Sequence, residues 1–315
     1  MKILVTGGAG FIGSHLVDKL IKKGHKLVVI DNLSTGRKRN LNPEAKFYKI
    51  DIQDQGISQI FKKEKPEIVF HYAAQTSVRK SIKNPAEDAN INILGSLNLL
   101  KNCQKSKVKK FIFASSVGVY GEPQKLPVKE SHFLNPTSPY PITKLTFEKY
   151  LYYYQKQGLN FIALRYSNIY GPRQSNEGEA GVIAIFINKF LKNEKPTILG
   201  KGEQTRDFLY VDDAVLAAVK TLKASPGSIY PVRNSISNGV YNVGTNQEIT
   251  INHLFKILSS KFQKRIKPSF SSSPPGEIIK SRVDFGRIKK ELGWKPQYSL
   301  DQGLEKTIKW FTERS

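Results

Sequence analysis

The sequence has a single cysteine, Cys103, among 315 residues. No disulfide can form within the chain, and a reducing cytoplasm is the expected setting. No apolar run approaches the roughly 18 to 20 residues of a membrane-spanning helix. The opening MKILVTGG runs a strand into glycines, where a secretory leader would carry a charged region and a long apolar segment. The five histidines, His15, His25, His71, His132 and His253, show no metal-ligand spacing, so no metal site is expected. Acids are scarce: 26 Asp plus Glu against 50 Lys plus Arg give a net charge of +24. That excess points first to nucleic acid, an anionic membrane or an anionic small molecule. Nucleic acid is not expected, because no recognition motif and no interleaving of aromatic and basic residues accompanies the charge. The basic residues occur as short pairs such as Lys22-Lys23, Lys62-Lys63 and Lys109-Lys110, the pattern of a solvated face. No internal repeat or low-complexity tract is present.

What is there is enough for a large core: hydrophobic residues make up 39% and aromatics 10%. Short apolar runs recur early: Ile3-Leu4-Val5, Leu27 to Ile30, Ile68-Val69-Phe70 and Phe111-Ile112-Phe113. They do not alternate, which is how strands covered on both faces read. Between them, Phe11, Ile12, His15, Leu16, Lys19 and Leu20 follow a helical stripe that stops before Gly24, a candidate cap. Ile91, Leu94, Leu97 and Leu100 keep a similar period into Cys103. This alternation predicts a Rossmann-type α/β fold, a doubly wound parallel sheet. After Gly171 the chain becomes richer in Gly, Pro and charge. Helical pieces at Val182 to Leu191 and Ile251 to Phe262 are separated by longer loops, which predicts a smaller C-terminal α/β substrate domain. The expected division is a dinucleotide-binding domain over 1–170 with returning segments near 207–245, and a substrate domain over 171–206 and 246–315. Ser225 to Gly239 reads as an exposed loop before the strand Val240 to Val243.

Thr6-Gly7-Gly8-Ala9-Gly10-Phe11-Ile12-Gly13 sits between a predicted strand and a predicted helix. Glycines there permit a tight turn and let backbone N–H groups approach a pyrophosphate at a helix N-terminus. Asp31 closes the second strand, close to the distance at which an acid meets adenosine ribose hydroxyls. A carboxylate there repels a 2′-phosphate, favouring NAD over NADP, while Arg37, Lys38 and Arg39 nearby soften that preference. Further along, Tyr140-Pro141-Ile142-Thr143-Lys144 opens a helix and sets a phenol and an ammonium on one face. A cation beside a phenol lowers its pKa from about 10 toward the range of a general base. Ser115 and Ser116 close a strand of the sheet, where open α/β folds bind ligands.

With these motifs in hand, the chain resembles the extended short-chain dehydrogenases/reductases of the NAD-dependent epimerase/dehydratase family, and within them the UDP-hexose 4-epimerases. TGGAGFIGSHL, DNLSTG from Asp31, His71-Tyr72-Ala73-Ala74, SSVGVYG from Ser115, YPITK, LRYSNIYGPR from Leu164, RDFLYVDD from Arg206 and ELGWKP from Glu291 carry it. The resemblance implies that Ser116 hydrogen-bonds the sugar 4-hydroxyl, Tyr140 removes its proton, and Lys144 holds the nicotinamide ribose while lowering the Tyr140 pKa. It implies a retained NAD that takes hydride from C4 and returns it to the other face. NAD would be held by Gly7, Gly10, Phe11, Ile12, Gly13, Asp31, Asn32, Asp51, Ile52, Ala73 and Asn92 together with Tyr140 and Lys144. Asn168 and Arg206 match positions on the diphosphate side of a nucleotide sugar, with Arg173 a weaker candidate. A homodimer through a four-helix bundle is implied, with Tyr152-Tyr153-Tyr154 after the catalytic helix as core or subunit contact and Asp88 and Asn90 on the other helix.

Several departures from the family pattern sharpen this. Dehydratases carry an Asp-Glu pair before V-Y-G to eliminate water; here Val117 and Gly118 stand there, which favours epimerisation. Pro274 replaces a usual diphosphate-binding Arg, leaving Arg206, with Lys280 or Arg282, to hold phosphate. Ser281 occupies a place where epimerases confined to non-acetylated sugars carry Tyr, leaving room for a 2-N-acetyl group. The rival readings are a reductase or dehydrogenase of a nucleotide keto-sugar and a basic regulatory protein on a Rossmann frame.

Overall fold

A computed structural model describes residues 1–175, 181–224, 239–273 and 278–314. Pro274 and the loop residues 225–238 lie outside them. In chain order the main elements are β1 (Lys2–Thr6), α1 (Phe11–Ile21), β2 (Lys26–Asp31), β3 (Lys46–Lys49), α2 (Ile57–Glu64), β4 (Ile68–His71), α3 (Val78–Lys83) and α4 (Pro85–Ala89). A π-helical turn over Asn90–Gly95 leads into α5 (Ser96–Lys105), then β5 (Lys110–Ser116), α6 (Pro139–Gln155), β6 (Phe161–Tyr166), β7 (Asn168–Tyr170) and α7 (Val182–Leu191). The rest comprises β8 (Thr197–Leu199), β9 (Thr205–Arg206), β10 (Phe208–Tyr210), α8 (Val211–Lys220), β11 (Val240–Val243), β12 (Ile249–Thr250), α9 (Ile251–Lys261), β13 (Ser269–Ser271), α10 (Gly286–Leu292) and α11 (Leu300–Thr312).

The four apolar runs became β1, β2, β4 and β5. They join β3, β6 and β11 in a sheet of order β3-β2-β1-β4-β5-β6-β11, parallel throughout. One face is covered by α1 and α8, whose Leu16, Leu20, Ala214 and Ala218 share a core with Phe186, Leu254 and Trp294. Side chains of α2, α5 and α6, including Phe61, Leu99 and Phe147, cover the other. Strand order reverses between β1 and β4, so the loops after these two strands flank the crevice where such sheets bind ligands. The last segments are tied back to α8 by Asp213: its carboxylate accepts from the N–H groups of Gln297 and Tyr298, and its carbonyl accepts from the Trp294 indole. RDFLYVDD and ELGWKP thus meet in space.

Two local expectations are corrected. The stripe from Ile91 through Leu94 does not face inward throughout, because the π turn adds a residue and rotates the phase. Leu94 is 58% exposed and the polar Asn92 is buried instead. Tyr152, Tyr153 and Tyr154 do not follow the catalytic helix but form part of its last turns. Tyr152 packs edge-on against Phe161, while Tyr153 faces out.

Candidate active site

The glycine turn is shaped by space. Gly7 has φ +70°, and a Cβ there would lie 2.6 Å from the Ala73 amide nitrogen. A Cβ on Gly13 would lie 2.2 Å from the Gly7 carbonyl oxygen. Both would press on backbone atoms, which cannot move aside, so only glycine lets the turn close up against α1 and the segment after β4. Gly10 is the N-cap of α1, whose first turn has neither a side-chain cap nor an acid. Its amide groups and dipole therefore suit an anion. Asp31 at the end of β2 is buried and accepts from Ala9 N–H (3.0 Å) and Leu33 N–H (2.8 Å). Burial pushes its carboxyl up, against the pull of those donors. Two of its roughly four acceptor sites remain for ribose hydroxyls. Asn32 donates to Asp51, and Ile52 is buried with its carbonyl held by Asn98. These residues fit an adenine dinucleotide.

From β4 the chain crosses toward the catalytic helix. Ala73 N–H donates to Thr6 Oγ1 (3.2 Å), and Asn92 brackets Gln75 with two hydrogen bonds of 2.9 Å, one to its N–H and one to its carbonyl. Asp88, 1% exposed, accepts from Gln75 Nε2 (2.6 Å), Asn92 Nδ2 (3.0 Å) and the Thr143 hydroxyl (2.9 Å). Thr143 lies inside YPITK. Asn92 and Asp88 therefore fix the Ala73–Gln75 segment against α6. Asp88, on α4, is satisfied internally.

Ser116 ends β5 and receives the Gly118 N–H at 3.1 Å. Its hydroxyl is near enough to the Tyr140 phenol to favour the ionised form, against burial. Pro139 sits in the first turn of α6, and the Tyr140 N–H donates to Ser81 Oγ (3.1 Å). One turn on, buried Lys144 donates to the Ala114 carbonyl (3.0 Å), lies 4.8 Å from the Phe113 ring centroid, and 5.7 Å from that of Tyr140. The three side chains are thus brought together. The electrostatics differ from expectation. Burial, reinforced by the charge of Asp88, pushes the Tyr140 phenol up to about 12. Burial pushes the Lys144 ammonium down to about 8, against the attraction of Asp88 and Glu148. Burial is thus the largest influence on both groups. At Gly118 a Cβ would lie 3.2 Å from Pro141 Cβ, a tight fit against α6.

A third group forms around β9. Asn168, exposed, pairs across β7 and β10 with Phe208, two residues past Arg206. Arg206 donates to the Thr205 and Ile278 carbonyls (2.8 Å each). Ser281 lies beside the same strand, its N–H 3.3 Å from Thr205 Oγ1. Val283, two residues further, pairs with Val128 and packs with Val119 and Tyr120 after Ser116. Arg173 does not join this group: its guanidinium is ion-paired with Asp18 of α1 at 2.8 Å.

Sequence reasoning missed a buried network beneath the site. Glu148, one turn after Lys144, takes a fork from Arg165 (Nε to Oε1 3.0 Å, Nη2 to Oε2 2.6 Å) and a hydrogen bond from Ser115. Arg165 also reaches the Tyr120 hydroxyl, which donates to Asn242. The available signal was an arginine inside the otherwise apolar strand FIALRY. Among the described residues no cluster of His, Cys, Asp or Glu is placed to hold a metal ion, and no helix is long and apolar enough to cross a membrane.

Comparison with known proteins agrees with this geometry. The family model described as "NAD dependent epimerase/dehydratase family" matches residues 3–244. A protein of Methanocaldococcus jannaschii named putative UDP-glucose 4-epimerase is 43% identical, over 98% of this chain and 97% of its own. The crystal structure of UDP-glucose 4-epimerase with UDP-glucose from Thermotoga maritima superposes with a TM-score of 0.94 at 45% identity, covering 100% and 99% of the two chains. A UDP-N-acetylglucosamine 4-epimerase from Methanobrevibacter ruminantium, in complex with UDP-N-acetylmuramic acid, gives 0.91 at 38% identity over 100% and 99%. A glycine turn backed by Asp31, a Ser116–Tyr140–Lys144 group and full-length similarity converge, and the chain belongs to the NAD-dependent epimerase/dehydratase family.

Proposed function

We propose that the protein inverts C4 of a UDP-hexose, glucose/galactose and their 2-N-acetyl forms alike, using a retained NAD. The observation that carries this is the pairing of a complete Ser116–Tyr140–Lys144 group with Val117 and Gly118, neither of which carries a group that can move a proton. Elimination and decarboxylation need such an acid or base; epimerisation does not. Bound NAD would supply the hydride acceptor and donor, and the residues that would hold it are those of the glycine turn, Asp31, Ala73, Asn92 and Lys144. The chain's own part is proton handling and positioning. Ser116 would hydrogen-bond the sugar 4-hydroxyl beside Tyr140, so the proton of that hydroxyl has a short route to the phenol. Lys144 and Asp88 flank that phenol with opposite effects on its charge. Arg206, a fork suited to phosphate, and Asn168 would lie along the diphosphate, with Ser281 beside the sugar. We assign 171–206 and 246–315 to substrate and 1–170 with 207–245 to cofactor.

The test is incubation of purified protein with UDP-glucose and UDP-N-acetylglucosamine without added cofactor. C4 epimers of both should form, with no net NADH; accumulation of NADH would mark a dehydrogenase, and failure on both sugars would end the reading. Ser281→Tyr should lower the N-acetyl activity about ten-fold or more, the scale on which a filled pocket discriminates, while leaving UDP-glucose turnover within two-fold. Equal loss on both would remove the basis for Ser281 as a selector.

The reading includes a homodimer through α6 and its neighbours. Val78, Ile82, Leu94, Ile142, Tyr150 and Tyr153 are all exposed and lie on α3, the π turn and α6, elements that pack on one another. Such a patch is unusual on a monomer. Sedimentation equilibrium should give a dimer at micromolar concentration and a monomer for Leu94→Glu/Tyr153→Glu; a monomeric wild type would refute it.

A further inference from the structure

His71 closes β4 and is buried, and it takes no part in the proton handling assigned to Ser116, Tyr140 and Lys144. Both nitrogens of its ring are engaged. Nδ1 lies 2.7 Å from Thr6 Oγ1 at the end of β1, and Nε2 lies 2.8 Å from Ser96 Oγ at the start of α5. Each hydroxyl has a further partner: Thr6 Oγ1 accepts from the Ala73 N–H (3.2 Å), and the Ser96 hydroxyl donates to the Asn92 carbonyl (2.7 Å) within the π turn. The imidazole thus stands in the middle of a chain of hydrogen bonds that begins at Ala73 and ends at Asn92. Thr6, His71 and Ser96 are all 1% exposed or less, so water does not compete for these bonds.

The direction of every bond follows from proton counting. A serine hydroxyl has one proton, and Ser96 gives it to Asn92, so Ser96 Oγ accepts from the imidazole and Nε2 carries the hydrogen. A neutral ring then leaves Nδ1 bare to accept from the Thr6 hydroxyl, whose oxygen in turn accepts from Ala73. The ring is neutral: burial, and after it the charge of Lys144, push the imidazole down to about 3. A cation would carry N–H groups at both ends and turn the Thr6 proton away from its acceptor. The ring plane is fixed as well. It stacks on Phe113, with centroids 5.8 Å apart, and meets Phe147 edge-on. Phe113 is the ring that also lies 4.8 Å from the Lys144 ammonium. A rigid strut with one donor and one acceptor therefore holds the segment after β4 at a set distance from the π turn, a distortion that is frequent at functional sites.

We propose that His71, as its Nε2–H tautomer, is a positioning residue of the cofactor site: it fixes Ala73 and Asn92 relative to each other and so sets how tightly NAD is held. This role rests on the reading that Ala73 and Asn92 hold NAD. The dissociation constant of NAD, with the cofactor content of the purified protein, would compare the wild type with His71→Phe, which keeps a ring beside Phe113 and loses both bonds, and with His71→Gln, whose amide offers an acceptor and a donor. Leu258→Ala, in the core of α9, is the control for lost stability alone. NAD should bind about ten-fold or more weakly to His71→Phe, the scale of one lost buried hydrogen bond. His71→Gln should recover part of that loss, and Leu258→Ala should bind NAD as the wild type does. If His71→Phe folds poorly, Ser96→Ala cuts the chain at one hydroxyl and gives the same readout. Nitrogen-15 spectra of the wild type should show a protonated Nε2 and a bare Nδ1 for the ring whose signals vanish in His71→Gln. The opposite tautomer, wild-type NAD affinity in both His71→Phe and Ser96→Ala, or equal weakening in Leu258→Ala overturns the proposal. Undiminished NAD affinity in Asn92→Ala would instead remove the reading beneath it, and the proposal with it.

Discussion

Tyr140→Phe loses about 10²–10⁴-fold in kcat for C4 epimerisation while keeping its fold and its NAD, because it removes one hydroxyl and the general acid–base step that depends on it. The ring stays, and with it the contact to Lys144, so near-ultraviolet circular dichroism and the cofactor content of the purified protein should not change. The size of the effect follows from the site. Burial holds the neutral phenol against ionisation, its pKa pushed up to about 12, and the Ser116 hydroxyl works against that shift. Proton transfer must then draw on the cation of Lys144, one helical turn away, to bring the phenol into range. Ser116→Ala should cost less, since it removes a relay and leaves the base. A Tyr140→Phe protein retaining activity within ten-fold would show that another group takes the proton.

Removing one member of the Glu148–Arg165 pair gives the largest stability effect expected outside the glycine turn. The two side chains are 1% and 2% exposed and share a fork. Arg165→Met leaves Glu148 charged in a dry interior with only the Ser115 hydroxyl, and breaking such a pair costs about 3–5 kcal/mol. Urea unfolding should show a midpoint shift of that size at unchanged slope. Replacing both partners, Glu148→Met/Arg165→Met, should restore much of the loss, because the desolvation penalty of both charges disappears. A single variant as stable as the wild type would mean that water reaches the pair. Because Ser115 precedes Ser116 and Glu148 follows Lys144 by one turn, kcat should fall with stability in the single variant.

How much of this was legible in the sequence depended on distance along the chain. Glycine turn, Asp31 and YPITK were readable because spacing within one βαβ unit or one helical turn fixes their chemistry. The buried strands were readable from continuous apolar runs. Edge strand β3 was not: its KFYK puts lysines at both ends, as a solvent-facing edge tolerates, and hides the pattern. Strands of two residues, such as β9 and β12, carry no period of their own and exist because Thr205 meets Thr250 and Arg206 meets Ile249 from distant segments. Asp88, Glu148 and Arg165 were opaque for the same reason: their partners lie up to 55 residues away. Arg173, placed by motif near the diphosphate, was captured by Asp18, a residue 155 positions earlier that no spacing rule connects to it.

The last strand of the parallel sheet, β11, comes from residues 240–243 and pairs with β6. Until about three quarters of the chain has been synthesised, β6 presents its backbone donors and acceptors to whatever is nearby, and Asn242 is absent from the Tyr120 hydroxyl it completes. Maturation therefore runs against chain order: the amino-terminal half waits for a late segment to close its edge. A fragment ending near residue 170 would keep the dinucleotide motif yet expose a β-strand edge suited to pairing with another copy. Aggregation, more than loss of chemistry, is what truncation at that point would produce.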